Sequence, residues 1–220
     1  MIHIEQFVFN SFQTRCSVVW DESGKCAIID PGITTAEETD TITGFISSKG
    51  LKPECIMLTH GHFDHVTGVS QLSRFYGGIP VYMHPADRFT LENNDFFCRM
   101  FGAPKPDRFD TEDIGDGSMI KVGTMTFEVL ETPGHTVGGV CFLERKEKVL
   151  FSGDTLFAGA IGRSDHPGGD YDVLMKSIFE KLLMLDGETR VLPGHGPSSD
   201  IATERMTNPF LMPFNEPYED

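Results

Sequence analysis

The sequence predicts an α/β fold in which β-sheets are packed between helices. Each half of the chain begins with short β-rich runs and continues with alternating strand and helix patterns, as expected for sheets covered by helices. No Pro-, Gly- or Ser-rich linker separates the halves, and no short-period repeat is present. We therefore expect a single domain over residues 1–220, a length that can bury a core without disulfides.

The first half contains five runs rich in β-branched and aromatic residues, which predict strands. These runs are Ile2–Phe9, Arg15–Trp20, Lys25–Asp30, Glu54–Thr59 and Pro80–Met83. Two helices are expected between them. The first is Thr35–Ser48, with Thr34 or Thr35 as its N-cap, and the second is about Val66–Tyr76, which Gly77-Gly78 ends.

Residues 85–116 are the least regular part of the sequence. Pro85–Asn93 has a helical pattern, and four apolar residues follow it closely, namely Phe96, Phe97, Met100 and Phe101. Either a lid over a pocket or a satellite hydrophobic cluster beneath a loop would have this composition, and the cluster is the ordinary expectation.

The second half returns to strand patterns and contains one strongly periodic helix. The predicted strands are Met119–Val122, Thr126–Glu131, Val140–Glu144, Val149–Ser152 and Arg190–Leu192. The helix is expected to run from an Asp170 N-cap to about Leu185. Its apolar residues recur every three or four positions and therefore share one face, as do Leu174, Ile178 and Leu182.

Charge and cysteine content exclude several classes of protein. The 18 Lys and Arg residues against 33 Asp and Glu give a net charge of −15, which disfavours nucleic acid as a partner. Neither a secretory signal nor an apolar run long enough to span a bilayer is present, so we expect no membrane association. The five cysteines are scattered and form no CxxC pair, which is typical of reduced core thiols in a cytoplasmic protein.

The segment Thr59–His65, THGHFDH, contains four potential metal ligands directly after a predicted strand. In an extended backbone His60 and His62 lie on the same face, so they can bind one ion together. Asp64 and His65 follow where the chain turns into the next helix, and they can reach a second position nearby. Because this spacing serves no packing purpose, the segment predicts a metal site.

Three further segments each have one potential ligand in a glycine-flanked turn after a strand, and these ligands are His135, Asp154 and His195. The C-terminal ends of strands are where open α/β sheets place their sites. Seven donors suit two adjacent ions that share a carboxylate. Because all the donors are nitrogen or oxygen, zinc, iron or manganese is expected, with zinc preferred.

The order HxHxDH, PGHT, SGDT and PGHG resembles the metallo-β-lactamase fold superfamily. Ser152–Phe157 with Gly162-Arg163, and Pro193–Pro197 with Asn208–Leu211, are similar to segments of single-domain glyoxalase II-like hydrolases, the hydroxyacylglutathione hydrolases. The resemblance implies an αββα sandwich, in which two mixed β-sheets pack face to face with helices on their outer faces. It also implies a metal cleft at one edge of the sheets.

The same resemblance implies a ligand set for two divalent ions. The first ion would be held by His60, His62 and His135, and the second by Asp64, His65 and His195. Asp154 would bridge both ions. The implied reaction is hydrolysis of a small-molecule thioester similar to lactoylglutathione, by a hydroxide that bridges the metals and that the catalytic residue Asp64 orients.

Two further residues have candidate roles. Arg163 stands where the similar hydrolases have a basic residue for a substrate carboxylate, although a surface arginine paired with Asp165 would have the same sequence context. Asp30 ends a strand and either orients a ligand histidine or is a simple turn aspartate. His84 could line the cleft but is expected in a loop, and His166 is expected to lie outside the site.

Other reactions stay open. Persulfide dioxygenases share the fold and a Gly-Arg-(Ser/Thr)-Asp stretch like residues 162–165, and they use one iron held by two histidines and a carboxylate. Other superfamily members hydrolyse lactones, β-lactams or phosphodiesters, and the acidic charge disfavours a nuclease. A non-catalytic binding module would not require so many convergent donors. Arg205 is the one basic residue after His195, so we expect most of the glutathione-binding region of two-domain glyoxalases II to be missing, which leaves the acyl group and thiol carrier open.

Overall fold

The computed structural model describes residues 1–212, so residues 213–220 of the predicted domain lie outside the described residues. Twelve strands form two six-stranded sheets. The first contains, in spatial order, β1 (His3–Phe9), β2 (Thr14–Trp20), β3 (Lys25–Ile29), β4 (Lys52–Met57), β5 (Val81–Met83) and β6 (Glu112–Asp113). The second contains β14 (Ser199–Asp200), β13 (Arg190–Pro193), β10 (Val149–Gly153), β9 (Val140–Glu144), β8 (Met125–Glu131) and β7 (Met119–Val122).

Both sheets are mixed, because antiparallel hairpins at one side continue into parallel pairs joined by helices. β1–β2–β3 is antiparallel, whereas β3 to β6 run parallel. β10 and β13 are parallel, and the other pairs of the second sheet are antiparallel. A small ribbon of β11 (Leu156–Phe157) and β12 (Ala160–Ile161) follows β10. Parallel neighbours need a long crossover, and helices supply it here.

Six α-helices cover the sheets. They are α1 (Ala36–Ser48), α2 (Phe63–Val66), α3 (Val69–Phe75), α4 (Arg88–Phe101), α5 (Tyr171–Ser177) and α6 (Ile201–Thr207). A capping box between Thr35 and Glu38 begins α1, and the Asp170 side chain accepts the amide of Val173 at the start of α5. Within residues 1–212, no helix is long and apolar enough to cross a membrane.

The core has three layers because alternate residues of the central strands face opposite ways. Val19 and Ala27 of the first sheet pack with Phe127 and Phe142 of the second. Their neighbours in the first sheet, such as Val18 and Ile28, pack outward against α1 and α3. On the other side, outward residues of the second sheet pack against α5 and α6. Two sheets face to face with helices on both outer faces confirm the expected αββα sandwich.

Two helix predictions were wrong in detail. The helix expected at Val66–Tyr76 is divided at Gly68, whose amide donates to Pro31 O and whose Cβ position would lie 2.7 Å from Ile33 Cβ. The helix predicted from Asp170 to about Leu185 is α-helical only to Ser177 and continues as a π-turn over Ile178–Leu182. The break at Gly68 depends on contacts with Pro31 and Ile33, which no local pattern records.

The segment predicted as a helix at Pro85–Asn93 is a 3₁₀ turn, Pro85–Asp87, followed by the longer α4. The apolar cluster therefore lies on this helix, which Gly102 ends in a left-handed conformation. Helix α6 was not predicted. All five cysteines are buried and unpaired, as expected for core thiols.

Phe127→Ala tests the layer between the sheets. Phe127 is fully buried there, so the truncation should lower the free energy of unfolding by about 3–5 kcal/mol through lost burial and a residual cavity. Urea denaturation measures this change. Phe75→Ala is the matched control, because that ring is 65% exposed, and its stability should stay close to that of the parent protein. Equal losses in both variants would contradict the assigned core.

Candidate metal centre

The structure brings all seven predicted donors together in one cleft. His60 and His62 follow β4, Asp64 and His65 lie in α2, and the remaining three follow β8, β10 and β13, namely His135, Asp154 and His195. Five of the seven are buried, whereas Asp154 and His195 are partly exposed. The donors from distant parts of the chain thus meet where four strands end.

The donor atoms form two groups with Asp154 between them. In one group the ligand atoms of His60, His62 and His135 all lie within 4.8 Å of one another, and those of Asp64, His65 and His195 do so in the other. Asp154 Oδ2 lies 3.6 Å from His135 Nε2 and 3.4 Å from His195 Nε2. One carboxylate therefore reaches both groups.

These separations fit divalent cations. His62 Nδ1 lies 3.0 Å from His135 Nε2, and His65 Nε2 lies 3.3 Å from His195 Nε2. Ligands at about 2.0–2.1 Å in a tetrahedron lie roughly 3.4 Å from one another. In the part of the chain that the structure describes, His60 Nε2 and Asp154 Oδ1 are buried without a hydrogen-bond partner. A cation would satisfy both atoms.

Hydrogen bonds on the far side of four imidazole rings fix their orientation. Nδ1 of His135 contacts Arg163 O at 2.6 Å, and Nδ1 of His195 contacts Phe12 O at 3.0 Å. A carbonyl can only accept, so each Nδ1 carries a proton, and the ring nitrogen left to bind a cation is Nε2. Thr59 Oγ1 lies 3.1 Å from His60 Nδ1.

Asp30 contacts the ring of His65 on the side away from the cleft, a position suited to orienting that histidine. Its Oδ2 is 3.1 Å from His65 Nδ1 and accepts the Thr59 hydroxyl at 2.6 Å. Its Oδ1 accepts the Thr59 amide at 2.8 Å. Both oxygens are therefore committed to hydrogen bonds, which favours positioning over direct ligation. Asp30 is 2% exposed and adopts a left-handed backbone, with φ at 50°.

Electrostatics hold His60 and Asp154 in the form that a cation requires but favour the protonated form of His65. Burial, reinforced by His65, holds the pKa of His60 well below its usual value. Burial would raise the pKa of Asp154, but His65 and His195 outweigh it and hold that pKa well below its usual range. At His65, the carboxylates of Asp154 and Asp64 outweigh burial and raise the pKa to about 9. A cation that binds His65 therefore displaces a proton.

Comparison with known proteins identifies the family. Residues 10–195 match the Metallo-beta-lactamase superfamily, a span that contains all seven donors. The chain belongs to this superfamily. It is accordingly a metal-dependent hydrolase, and the fold with its histidine and aspartate clusters supports the binding of divalent metal ions.

The chain is similar to proteins that are named for different activities. The chain is 38% identical to hydroxyacylglutathione hydrolase GloC of Haemophilus influenzae, over 96% of this chain and 98% of that protein. The crystal structure of BLEG-1 B3 metallo-beta-lactamase superposes with a TM-score of 0.87 at 36% identity, covering 95% and 99% of the two chains. TTHA1623 in a di-iron-bound form superposes with a TM-score of 0.83 at 38% identity, covering 94% and 100%.

The Arg163 side chain lies on the surface at the edge of the superfamily site. It is 63% exposed, and its Nε donates to Asp165 Oδ1 at 2.6 Å, which is the surface pairing weighed from the sequence. Its carbonyl accepts the proton of His135 Nδ1. His84 pairs with Glu131 Oε1 at 2.9 Å and is not among the clustered donors.

The expectation that His166 lies outside the site was wrong. Its ring centroid is 5.1 Å from those of His62 and His135 and 5.8 Å from that of Phe97. The signal was absent from the sequence, because the curvature of the loop after Arg163 is what turns this ring inward. His166 therefore forms part of the wall beside the donors.

The irregular segment also borders the site. Phe97 of α4 is buried and lies edge-on to His62, with ring centroids 5.3 Å apart. Phe96, which is 46% exposed, packs against Phe97. On the other side of Asp64, a cleft of about 390 Å³ is lined in part by Phe12 and Phe63. Of the four residues predicted as a cluster, Phe97 is buried and packs with Phe63 and Cys98, whereas Phe96, Met100 and Phe101 are exposed. The prediction is thus confirmed only in part, and Phe97 forms an apolar wall beside His62.

Gly194→Ala tests the close approach that the centre requires. A Cβ on Gly194 would lie 2.2 Å from Asp154 Oδ1 and 2.7 Å from His65 Cε1, so the carboxylate must move. We expect the purified variant to lose metal, as measured by elemental analysis per folded chain. Gly44→Ala is the control, since no atom lies within 4 Å of that Cβ position, and it should keep the parent metal content. Full metal content in Gly194→Ala would contradict the geometry.

Proposed function

We propose that the protein is a thioesterase of glyoxalase II type that hydrolyses a small hydroxyacyl thioester similar to lactoylglutathione. The observation that carries the proposal is the pair of three-donor groups joined by Asp154, since such a site suits hydrolysis at a carbonyl. The similarity to hydroxyacylglutathione hydrolase GloC over nearly the whole chain supports the thioester as substrate. A thiolate also leaves readily from the tetrahedral state.

The proposed metal assignment follows the two groups. His60, His62 and His135 would hold one ion, Asp64, His65 and His195 would hold the other, and Asp154 lies within reach of both groups. A bound pair of ions would lower the pKa of coordinated water and polarise the substrate carbonyl. The nitrogen and oxygen donor set suits zinc as the first choice, and the di-iron form of TTHA1623 makes iron the second.

The side chains around the ions have separate tasks in this proposal. Asp64 accepts a hydrogen bond from the attacking water and orients it, while Thr14 Oγ1 donates to Asp64 Oδ2 at 2.9 Å and fixes the carboxylate. Phe97 and His166 close one side of the donor cluster with ring faces and edges, which limits the entry of bulk water. Arg163 holds a carboxylate of the substrate.

A second candidate function is β-lactam hydrolysis. It is favoured by the similarity to BLEG-1 B3 metallo-beta-lactamase at 36% identity over nearly the whole of both chains. The same donors could serve either acyl group. A single-iron persulfide dioxygenase, in contrast, requires two histidines and one carboxylate, fewer donors than converge here.

One set of assays separates these reactions. The zinc-loaded and iron-loaded proteins are each incubated with S-D-lactoylglutathione, with a chromogenic cephalosporin, and with glutathione persulfide under oxygen monitoring. Thioester cleavage that exceeds cephalosporin cleavage by about a hundredfold or more in kcat/KM, roughly 2.7 kcal/mol, supports the proposal. Dominant cephalosporin cleavage, or oxygen uptake by the iron form without thioester cleavage, would overturn it.

Asp154→Asn and His195→Gln test the dinuclear assignment. Asp154 contacts both donor groups, so its replacement should weaken both ions, whereas His195 belongs to one group and its replacement should weaken mainly one. Metal titration followed by elemental analysis gives the stoichiometry of each variant. The assignment fails if the parent protein binds a single ion when metal is in excess, or if the two variants lose metal equally.

Arg163→Ala tests the carboxylate anchor. Because Arg163 lies away from the reacting carbonyl, its contact would contribute equally in the ground and transition states. KM for an anionic thioester should rise about tenfold or more with kcat nearly unchanged, from loss of a charge-assisted bond. A neutral thioester should be unaffected, and Arg163→Lys should restore only part of the affinity.

Arg74→Ala is the matched control for the anchor. Arg74 is also exposed and paired with an aspartate, Asp107, and its replacement should leave both substrates unchanged. If Arg163→Ala instead keeps the parent KM for the anionic thioester, the arginine is a surface residue. Loss of metal in that variant would show that the residue acts through the His135 loop.

A further inference from the structure

A buried carboxylate outside the seven donors links two of the ligand loops. Asp87 is fully buried at the end of the 3₁₀ turn before α4. Its Oδ2 accepts the amide of Gly61, and its Oδ1 accepts the amide of Gly138 at 3.0 Å. Gly61 lies between His60 and His62, while Gly138 follows His135 by three residues. One side chain thus holds both loops of the first donor group.

A polar residue of the α4 helix also contacts Gly61. Asn94 is 1% exposed, and its Nδ2 donates to Gly61 O at 2.8 Å. Asp87 directly precedes α4, and Asn94 lies in the second turn of that helix. Both the N–H and the C=O of Gly61 are therefore held from the 3₁₀ turn and the helix that follows it. A Cβ on Gly61 would lie 3.0 Å from Asp87 O and 3.3 Å from Leu91 Cγ, so the helix and the loop are in close contact.

Burying the carboxylate of Asp87 costs free energy, because the charged group loses its contact with water. Its hydrogen-bond donors include the two amides and the hydroxyl of Thr90, which are neutral groups. Burial raises the pKa of this carboxyl despite these bonds. A well-packed apolar side chain at such a position is commonly as stabilising or more so. What an apolar residue could not do is fix two backbone amides from different loops.

We propose that Asp87 and Asn94 are positioning residues that hold the His60–His62 loop and the His135 loop at the spacing that metal binding requires. The proposal rests on the metal assignment made for the proposed function. The relevant distance is the 3.0 Å between His62 Nδ1 and His135 Nε2, which joins the two loops. Without the link, the two imidazoles are free to separate, and the ion loses affinity before the fold loses its core.

The test measures metal affinity separately from stability. Asp87→Asn replaces one accepting oxygen with an amide nitrogen, so one of the two loop amides loses its acceptor. Competition with a fluorescent zinc chelator should give about tenfold or more weaker binding of one of the two zinc ions, the range typical of residues behind metal ligands. Asn94→Ala should weaken the same ion. The melting temperature of each metal-free variant is recorded alongside.

Asp21→Asn is the matched control. Asp21 is also a buried carboxylate, and it accepts the amides of Ser23 at 2.8 Å and Thr124 at 2.6 Å, joining two loops that contain none of the seven donors. Its replacement should lower the melting temperature and leave zinc affinity unchanged. If Asp87→Asn behaves in the same way, with a lower melting temperature and parent zinc affinity, the positioning role is wrong.

Two further outcomes keep the test decisive. Should Asp87→Asn fail to fold, Asn94→Ala alone decides, because it removes a single neutral donor, and parent zinc affinity in that variant overturns the proposal. The readout does not depend on which substrate is cleaved. A parent protein that binds two zinc ions but cleaves no thioester removes the proposed function, while the fold-change in zinc affinity still supports or overturns the positioning role.

Discussion

The position of the Asp154 carboxylate is the constraint on which the rest of the structure depends. Its oxygens lie 3.4 Å from His65 Nε2 and 3.4 Å from His195 Nε2, and 3.6 Å from His135 Nε2. These rings come from helix α2 and from the loops after β13 and β8, so all three must reach one side chain at the end of β10. The absence of a side chain at Gly194 permits this approach. The sheets supply the remaining accuracy, since strand ends in a packed sandwich move little.

The two halves of the chain complete the centre together. His195 belongs to the second half, yet its Nδ1 is held by Phe12 O from the first. Close to this contact, the amide of Arg15 donates to Gly194 O at 2.8 Å. A second hydrogen bond joins the halves where the amide of Val140 donates to Thr59 O at 2.8 Å. Face-to-face packing of the sheets therefore does more than bury a core. It brings the donors from the two halves of the chain together within each donor group.

The seven donors could be predicted from the sequence because each lies in a short motif directly after a strand, so its position at a strand end follows from its neighbours in the chain. Asp30 could be proposed for the same reason. The contributions of His166, Asp87 and Asn94 could not, because they arise from the path of a loop and the docking of a helix. The break in the helix at Gly68 is similar, since its cause is contact with Pro31 and Ile33. Sequence patterns describe local preference and strand alternation well, whereas contacts between distant segments are set by packing.

The same division explains why the seven donors show the superfamily and not the substrate. The donors position ions that could act on many carbonyl compounds, and they are the part that short motifs encode. In the proposed function, selection of an acyl group would fall to the wall built by Phe97, Phe96 and His166 and to charges such as Arg163. Helix α4 provides Phe96 and Phe97 of that wall, while Asn94 of the same helix and Asp87 just before it contact Gly61. If the proposed roles hold, a change in this helix that alters the substrate wall would also bear on the ligand loops, and specificity and metal binding would be coupled through one element.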